Sequence, residues 1–381
     1  MTEPTQDISP ETLPGFTPEN EARLSQALAQ LSDKTRHVFV TGAGGFLGKS
    51  LCRMLRRADI KVTGFARGHY HELEQMSVTM VKGDIADYSQ VKQAMQGCDL
   101  VFHVAAKAGV WGDYQSYFKA NVQGTKNILK SCQELGIDHL VYTSTPSVTF
   151  AGVDEAGIDE SQPYAEEYLN HYGQTKAQAE QLVLAAAQNS AQESIEKSSD
   201  AAEGQLKTVA LRPHLIWGVN DPHLVPRVLE RAKAGKLKLV GKEDKLVDTI
   251  YVENAAFAHI LAAIELTKAQ AKCNGKAYFI SNDEPITMAA MLNKILACAD
   301  LPPVSKRVPS GIAYFVGATL ERIYRLLGKT QEPLMTRFVA RQLSTSHYFN
   351  ISAAKEDFSY LPLVSIDEGM KTLKQSLNEQ Q

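Results

Sequence analysis

From residue 36 onward the chain alternates short apolar runs with longer stretches in which apolar side chains recur every three to four positions. HVFVT (37–41), KVTGFAR (61–67), TMVKGD (79–84), DLVFHVAA (99–106), HLVYTST (139–145) and TVALRPHLIWG (208–218) are the short runs, rich in β-branched and aromatic residues. FLGKSLCRMLRRA, directly after the first run, has helical spacing, as do most of the intervals between the others. Near-continuous apolar strands separated by helices indicate βαβ units and a parallel sheet covered on both faces. The last third is less regular. It offers a strand pair at LKLVG (237–241) and TIYV (249–252), then a helix at IAYFVGATLERIYRLLG (312–328). Residues 1–35 read as a polar extension in which Glu21–Leu31 suits a short helix, and about 187–206 as a polar surface insertion.

Composition narrows the class. The 381 residues are 44% hydrophobic, enough for a sizeable core, with a net charge of −3 and no basic stripe for nucleic acid. Five scattered cysteines without a CxxC pair read as reduced thiols, with no metal site. The acidic N-terminus lacks the apolar core of a signal peptide, and no apolar run is long enough to span a bilayer. A cytoplasmic location is therefore expected, with contact to a membrane surface as an addition to it.

The first strand runs into Gly42-Ala-Gly-Gly45-Phe46-Leu47-Gly48. In this spacing the first glycine permits a tight turn, the second lets backbone approach a pyrophosphate, and the third lets the helix pack close to the sheet. The helix N-terminus opened by Phe46 and Leu47 then offers amides and a positive dipole end to phosphates. The expected architecture is α/β: a Rossmann-type doubly wound parallel sheet over residues 36–220. A smaller C-terminal substrate lobe covers 221–381, with some segments returning to the core. An NAD site usually carries an acid at the end of the second strand. Here Ala66 stands there, with Arg67 beside it, a partner for a 2′-phosphate. NADPH is expected, NADH less so. Asp84 and Ile85, closing the third strand, are placed near the adenine.

Tyr172 and Lys176 lie four residues apart, one turn apart on one helix face. An ammonium so placed would lower the phenol's pKa and let it exchange a proton near neutrality.

A glycine turn, a strand ending VYTSTPSV (141–148) and then a Tyr–Lys helix resemble the extended short-chain dehydrogenase/reductase superfamily over about residues 36–375. The resemblance implies that Thr145, where many relatives carry Ser, steadies the substrate oxygen, with Ser144 adjacent. It also implies that Asn121 in NVQGTKN supports the lysine. HVAAKAG (103–109) looks like the segment beneath the cofactor ribose, which assigns Ala105, Ala106 and Lys107. LRPHLIWG (211–218) looks like the cap over the nicotinamide, which assigns Pro213, Leu215 and Ile216. DTIYVENAAFAHILA (248–262), HYFNISAAKEDFSYLP and SIDEGM resemble the 3β-hydroxysteroid dehydrogenase branch. AAKAGVWG (105–112) and LRPHLIWGVNDPHLVPRV (211–228) resemble a bacterial subgroup that reduces 2-alkyl-3-oxoalkanoates in long-chain olefin biosynthesis. That subgroup implies companion enzymes in an assembly, and a homo-oligomer is expected.

The implied reaction is NADPH-dependent reduction of the 3-keto group of a lipid-like keto acid to the 3-hydroxy acid. Tyr172 would serve as proton donor. Such a substrate needs apolar walls, for which Val110, Trp111, Leu215, Ile216 and Trp217 are candidates. It also needs a carboxylate partner, for which Lys107, His214 and Arg227 are candidates. The helix at 312–327 suits packing on the substrate lobe, or a surface for lipid or a partner. Three rivals stand beside this reading. One is an NAD-dependent hydroxysteroid or sterol-4-carboxylate dehydrogenase, disfavoured by the missing acid at Ala66. The second is a nucleotide-sugar epimerase or dehydratase; a dehydratase would need an acidic dyad beside Thr145, where Pro146 and Ser147 stand. The third is a non-catalytic NADPH-binding sensor, disfavoured by the intact Tyr–Lys pair.

Overall fold

The computed structural model describes Leu13, residues 15–196 and residues 205–379. The centre of the polar insertion near 187–206 lies outside the described residues. Seven parallel strands form the central sheet: β1 (His37–Thr41), β2 (Lys61–Ala66), β3 (Thr79–Lys82), β4 (Leu100–His103), β5 (His139–Thr143), β6 (Lys207–Pro213) and β7 (Lys276–Ile280). Their order is β7-β6-β5-β4-β1-β2-β3. The direction of winding reverses between β1 and β4, and ligands in open α/β sheets bind beyond the strand ends at such a switch point.

Alternation along β1 shows why both faces are covered. Val38 and Val40 enter one core with Leu51, Leu55, Ala255 and Ile260, whereas Phe39 enters the other with Ile128, Cys132 and Val183. The first face is packed by α1 (Pro18–Ser32), α2 (Phe46–Leu55) and α6 (Val252–Leu266). The second is packed by α3 (Gly124–Leu135) and α4 (His171–Glu196). Leu24, Ala27, Leu28 and Leu31 of α1 are buried, so part of the polar extension closes the first layer. All five cysteines are buried free thiols.

The remaining C-terminal elements include α5 (Leu224–Lys233), α7 (Met288–Cys298), α8 (Ser310–Leu326) and α9 (Arg337–Gln342). A four-stranded sheet joins Ile286–Thr287, Leu246–Val247, His347–Phe349 and Glu155–Ile158. One expectation is corrected here. The segments at 237–241 and 249–252 do contain strands, but these do not pair with each other. Leu239–Val240 lies parallel to Arg307–Val308, and Ile250–Tyr251 lies parallel to Ile216–Trp217. Short apolar runs state that a strand exists; its partner depends on which backbone the surrounding packing brings alongside.

Candidate active site

The glycine turn is built for close approach. Gly42 has φ +66°, and a Cβ there would come within 2.9 Å of the Ala105 backbone. A Cβ on Gly48 would come within 2.2 Å of the Gly42 carbonyl oxygen, so α2 can pack this close only with glycine there. Gly42 donates to the Phe65 carbonyl at 2.8 Å, and Gly45 to the Gly42 carbonyl at 2.8 Å. Gly45 caps α2 with no side chain, and no acid stands in the first turn. The helix end is thus left open to an anion, and the cradle fits the pyrophosphate of a dinucleotide. Arg67 is exposed just past the end of β2, and neither chain neighbour, Ala66 nor Gly68, is an acid. Asp84 lies at the same edge, 3.3 Å from Lys119. The amide of Ala86, Lys119 and Arg67 together hold its carboxyl below the usual range. Ile85 packs where a Cβ on Gly124 would lie, and its carbonyl accepts from Asn127 at 2.9 Å.

Beneath this turn runs a buried polar chain. The Ala105 amide donates to Thr41 Oγ1 at 3.0 Å, and that hydroxyl lies 2.8 Å from His103 Nδ1. His103 Nε2 meets Thr125 Oγ1 at 2.9 Å, which donates to the Asn121 carbonyl at 2.6 Å. Burial, aided by nearby Lys176, pushes His103 down to about 3, so the ring is neutral. The bonds assign its proton to Nε2, leaving Nδ1 as acceptor from Thr41. Asn121 sits in a π-helical segment, Phe118–Gln123. Its side chain accepts from the Lys107 amide at 2.7 Å, and donates to the Lys107 carbonyl at 3.1 Å and to Thr175 Oγ1 at 3.0 Å. It thereby joins the segment 105–107 to the helix turn between Tyr172 and Lys176. Sequence reasoning did not single out Thr41, His103, Thr125 or Thr175; no local motif marks them.

Lys176 is buried, donates to the Thr143 carbonyl at 2.6 Å and lies 4.0 Å from the centre of the Tyr142 ring. Thr143 is held in turn by His259 Nε2 at 2.8 Å. Burial lowers Lys176 to about 7, against the upward pull of Glu180. Tyr172 is half-buried. Desolvation raises its phenol, and a hydrogen bond with Thr145 draws it partly back. The expected electrostatics are therefore corrected. Among the causes acting on Tyr172, Thr145 and not Lys176 pulls the phenol down, and the phenol is protonated at neutral pH. Glu180, one turn beyond Lys176, forms a buried ion pair with Arg212 at 2.6 Å and accepts from Tyr164 at 2.7 Å.

The carboxylate candidates are all engaged. His214 shares a 2.7 Å bond with His347, and burial holds it neutral, so it brings no positive charge. Lys107 donates to Ser116 and lies 4.8 Å from the centre of the Tyr117 ring. Arg227 pairs with Glu332. Trp111 donates to the Lys329 carbonyl at 3.0 Å and meets Tyr324 edge-on. Beyond Pro213 the chain turns sharply. Leu215 takes φ +44°, a left-handed conformation a branched side chain rarely adopts, and accepts from the Ile250 amide at 3.3 Å.

That turn puts Leu215 into the wall of a cavity of about 260 Å³. The cavity lies among α5, α7, α9 and Leu239–Val240, with Val110, Val228, Met288, Ala289 and Leu292 in its walls. Arg227, Arg231 and Leu334 also line it. Of the apolar wall expected from sequence, Val110 and Leu215 are in place, while Trp217 is fully buried against Tyr251.

Comparison with known proteins gives the family and the fold. Residues 39–306 match the 3-beta hydroxysteroid dehydrogenase/isomerase family. The chain is 66% identical to a 2-alkyl-3-oxoalkanoate reductase of Shewanella oneidensis, over 94% of this chain and 90% of that protein. It is 32% identical to the decarboxylating sterol-4-alpha-carboxylate 3-dehydrogenase of Mus musculus, over 91% and 92%. The fold is shared with the UDP-glucose 4-epimerase of Thermus thermophilus solved with NAD, at 21% identity and a TM-score of 0.67, over 90% and 99%. Open helix end, Tyr–Lys helix and relatives converge: the chain belongs to the 3-beta hydroxysteroid dehydrogenase/isomerase family, a family of oxidoreductases.

Proposed function

We propose that this enzyme reduces the 3-oxo group of a 2-alkyl-3-oxoalkanoate to the 3-hydroxy acid, with NADPH as reductant. One observation carries the chemistry: Tyr172 beside Thr145, with buried Lys176 one turn along the same helix and donating to the Thr143 carbonyl at 2.6 Å. When bound, NADPH supplies two electrons and one hydrogen to the carbonyl carbon. Tyr172 gives its proton to the carbonyl oxygen as negative charge develops there. The Thr145 hydroxyl donates a hydrogen bond to the same oxygen and stabilises that charge. Lys176, poised near neutrality, holds ribose hydroxyls from the same helix face. Asn121 is a positioning residue for this helix turn.

In this reading the backbone of Gly42, Gly45, Phe46, Leu47 and Gly48 holds the pyrophosphate. Arg67 meets the 2′-phosphate, and Asp84 and Ile85 border the adenine. Ala105, Ala106 and Lys107 lie under the ribose, and Pro213, Leu215 and Ile216 cover the nicotinamide. The apolar cavity takes alkyl chain. Support for the substrate comes from the 66% identity to a protein of that activity. The similarity to a sterol-4-carboxylate dehydrogenase favours a second reading, oxidation of a sterol.

Oxidation of NADPH and NADH across 3-oxo acids with and without a 2-alkyl branch, and across keto-steroids, separates the two. Fastest turnover is expected with NADPH and the branched acids. Preference for NADH and a steroid would transfer the assignment to the second reading.

A further inference from the structure

Helix α8 runs into a strap, residues 329–335, that crosses to the start of α9. Like every helix of the described residues, α8 is not long and apolar enough to cross a membrane. Both ends of the strap are fixed. At one end Gly328 takes φ +60°, and the Lys329 amide donates to the Tyr324 carbonyl at 2.9 Å. At the other, Glu321 of α8 accepts from the Arg337 amide at 2.7 Å and from its Nε at 2.9 Å. Between these ends, among the described residues, no backbone–backbone hydrogen bond involves residues 330–335.

What holds the strap comes from elsewhere in the chain. Trp111 Nε1 donates to the Lys329 carbonyl at 3.0 Å, and the Trp111 ring meets Tyr324 edge-on. Arg231 donates to the Leu334 carbonyl at 3.0 Å, and Arg227 pairs with Glu332. The two arginines lie one turn apart on α5, on one face. Both line the cavity together with Glu332 and Leu334. Leu334 is nonetheless 72% exposed, so it stands at the boundary between cavity and solvent. Pro333 beside it is buried and seats the strap. The Trp111 tie reaches toward the catalytic side: the Trp111 carbonyl accepts at 3.0 Å from Tyr117, whose ring lies under Lys107.

Each tie is weak singly. One partly exposed ion pair and two side-chain bonds to carbonyls can break and re-form without unfolding α8 or α9. A longer chain brings more methylenes to the mouth, and so gains more from having it covered. We propose that residues 329–335 are a strap over the cavity mouth, latched by Trp111, Arg227 and Arg231, and that the latch selects long alkyl chains. The arginines are positioning residues: their hydrogen bonds go to the strap and not to the substrate. The proposal rests on the reading of the cavity as the alkyl site.

Trp111 is a built-in probe, because the other tryptophan of the chain, Trp217, is fully buried. Acrylamide quenching of the full-length protein reads the latch. Titration with dodecanol and hexanol, which carry no charge, reads retention of the chain. Arg227→Glu sets two acids against each other. It should raise Trp111 quenching by about twofold, weaken dodecanol by about fivefold and leave hexanol within about twofold of wild type. Arg227→Glu/Glu332→Arg restores the pair with its sign reversed and should return dodecanol to within about twofold of wild type. Unchanged quenching in Arg227→Glu overturns the proposal, as does equal weakening of both alcohols or the absence of rescue by the reversed pair. Wild type that binds neither alcohol overturns the reading of the cavity, and the strap with it. Dodecanol bound equally by wild type and Arg227→Glu overturns the strap alone.

Discussion

The two halves of the site are held by different forces. Around Tyr172 and Lys176, buried hydrogen bonds fix nearly every group: Thr41, His103, Thr125 and Asn121 form one chain, and Lys176, Thr143 and His259 another. Around the cavity the walls are aliphatic, and the polar groups at its rim, such as Arg227 with Glu332 and Arg307 with Asp244, form partly exposed pairs. Buried polar networks admit one arrangement, because each unmade bond costs about 1–3 kcal/mol. Aliphatic walls tolerate several arrangements of similar energy. In the proposed reading the chemistry is thus rigid, and substrate choice rests on a surface that changes more easily.

The sharpest way to break this contrast is at the phenol. Tyr172→Phe should lower kcat by about a thousandfold or more while NADPH affinity, from fluorescence titration, stays within about threefold. Near-normal turnover would remove Tyr172 from the chemistry. Arg67→Glu is expected to raise the KM for NADPH by about tenfold and leave that for NADH almost unchanged; equal effects on both would deny it a phosphate partner.

Filling the cavity tests the softer half. Ala289→Trp should raise the KM for long-chain substrates by about tenfold and leave kcat with short-chain ones close to wild type. Loss of both activities alike would place the cavity inside the rigid half.

The smallest effect concerns the cost of buried polarity. Burial raises Glu253 from 4.5 to about 7; Arg53 lies 3.7 Å away and Oε2 has no partner. Between pH 4.5 and 7 the folded state holds a proton that the unfolded state has released, so stability falls as pH rises through this window. Glu253→Gln should therefore raise stability by on the order of 2 kcal/mol at about pH 8 and far less near about pH 4, read by urea unfolding at the two pH values. A gain independent of pH would mean that ionisation is not the cost.

How much was legible in the sequence follows the same division. The glycine turn and the Tyr–Lys pair are each local patterns, and a strand or helix with its ends marked by glycine is a local event. The partners of Asn121 were not legible. Lys107 is 14 residues away and Thr175 is 54, and nothing in either neighbourhood announces the other. The role expected of Lys176 also changed. Spacing alone suggests a charge acting on Tyr172, but desolvation, a property of the folded interior, lowers the lysine and raises the phenol instead. His214 had the residue type for a carboxylate partner, but its pairing with His347 exists only once residues 133 apart in the chain are brought together.

By itself, then, the sequence determined the alternation of strand and helix, the tight glycine turn at Gly42–Gly48 and the placing of Tyr172 and Lys176 one turn apart on a helix. Each follows from periodicity or short-range backbone geometry. Tertiary structure alone decided the pairing of the short C-terminal strands, the cavity between α5, α7 and α9, and the side-chain ties on residues 329–335. It also decided the directions in which Lys176, Tyr172 and His103 are shifted from their ordinary pKa values. These depend on what is excluded from water, and burial is settled by contacts between segments far apart in the chain.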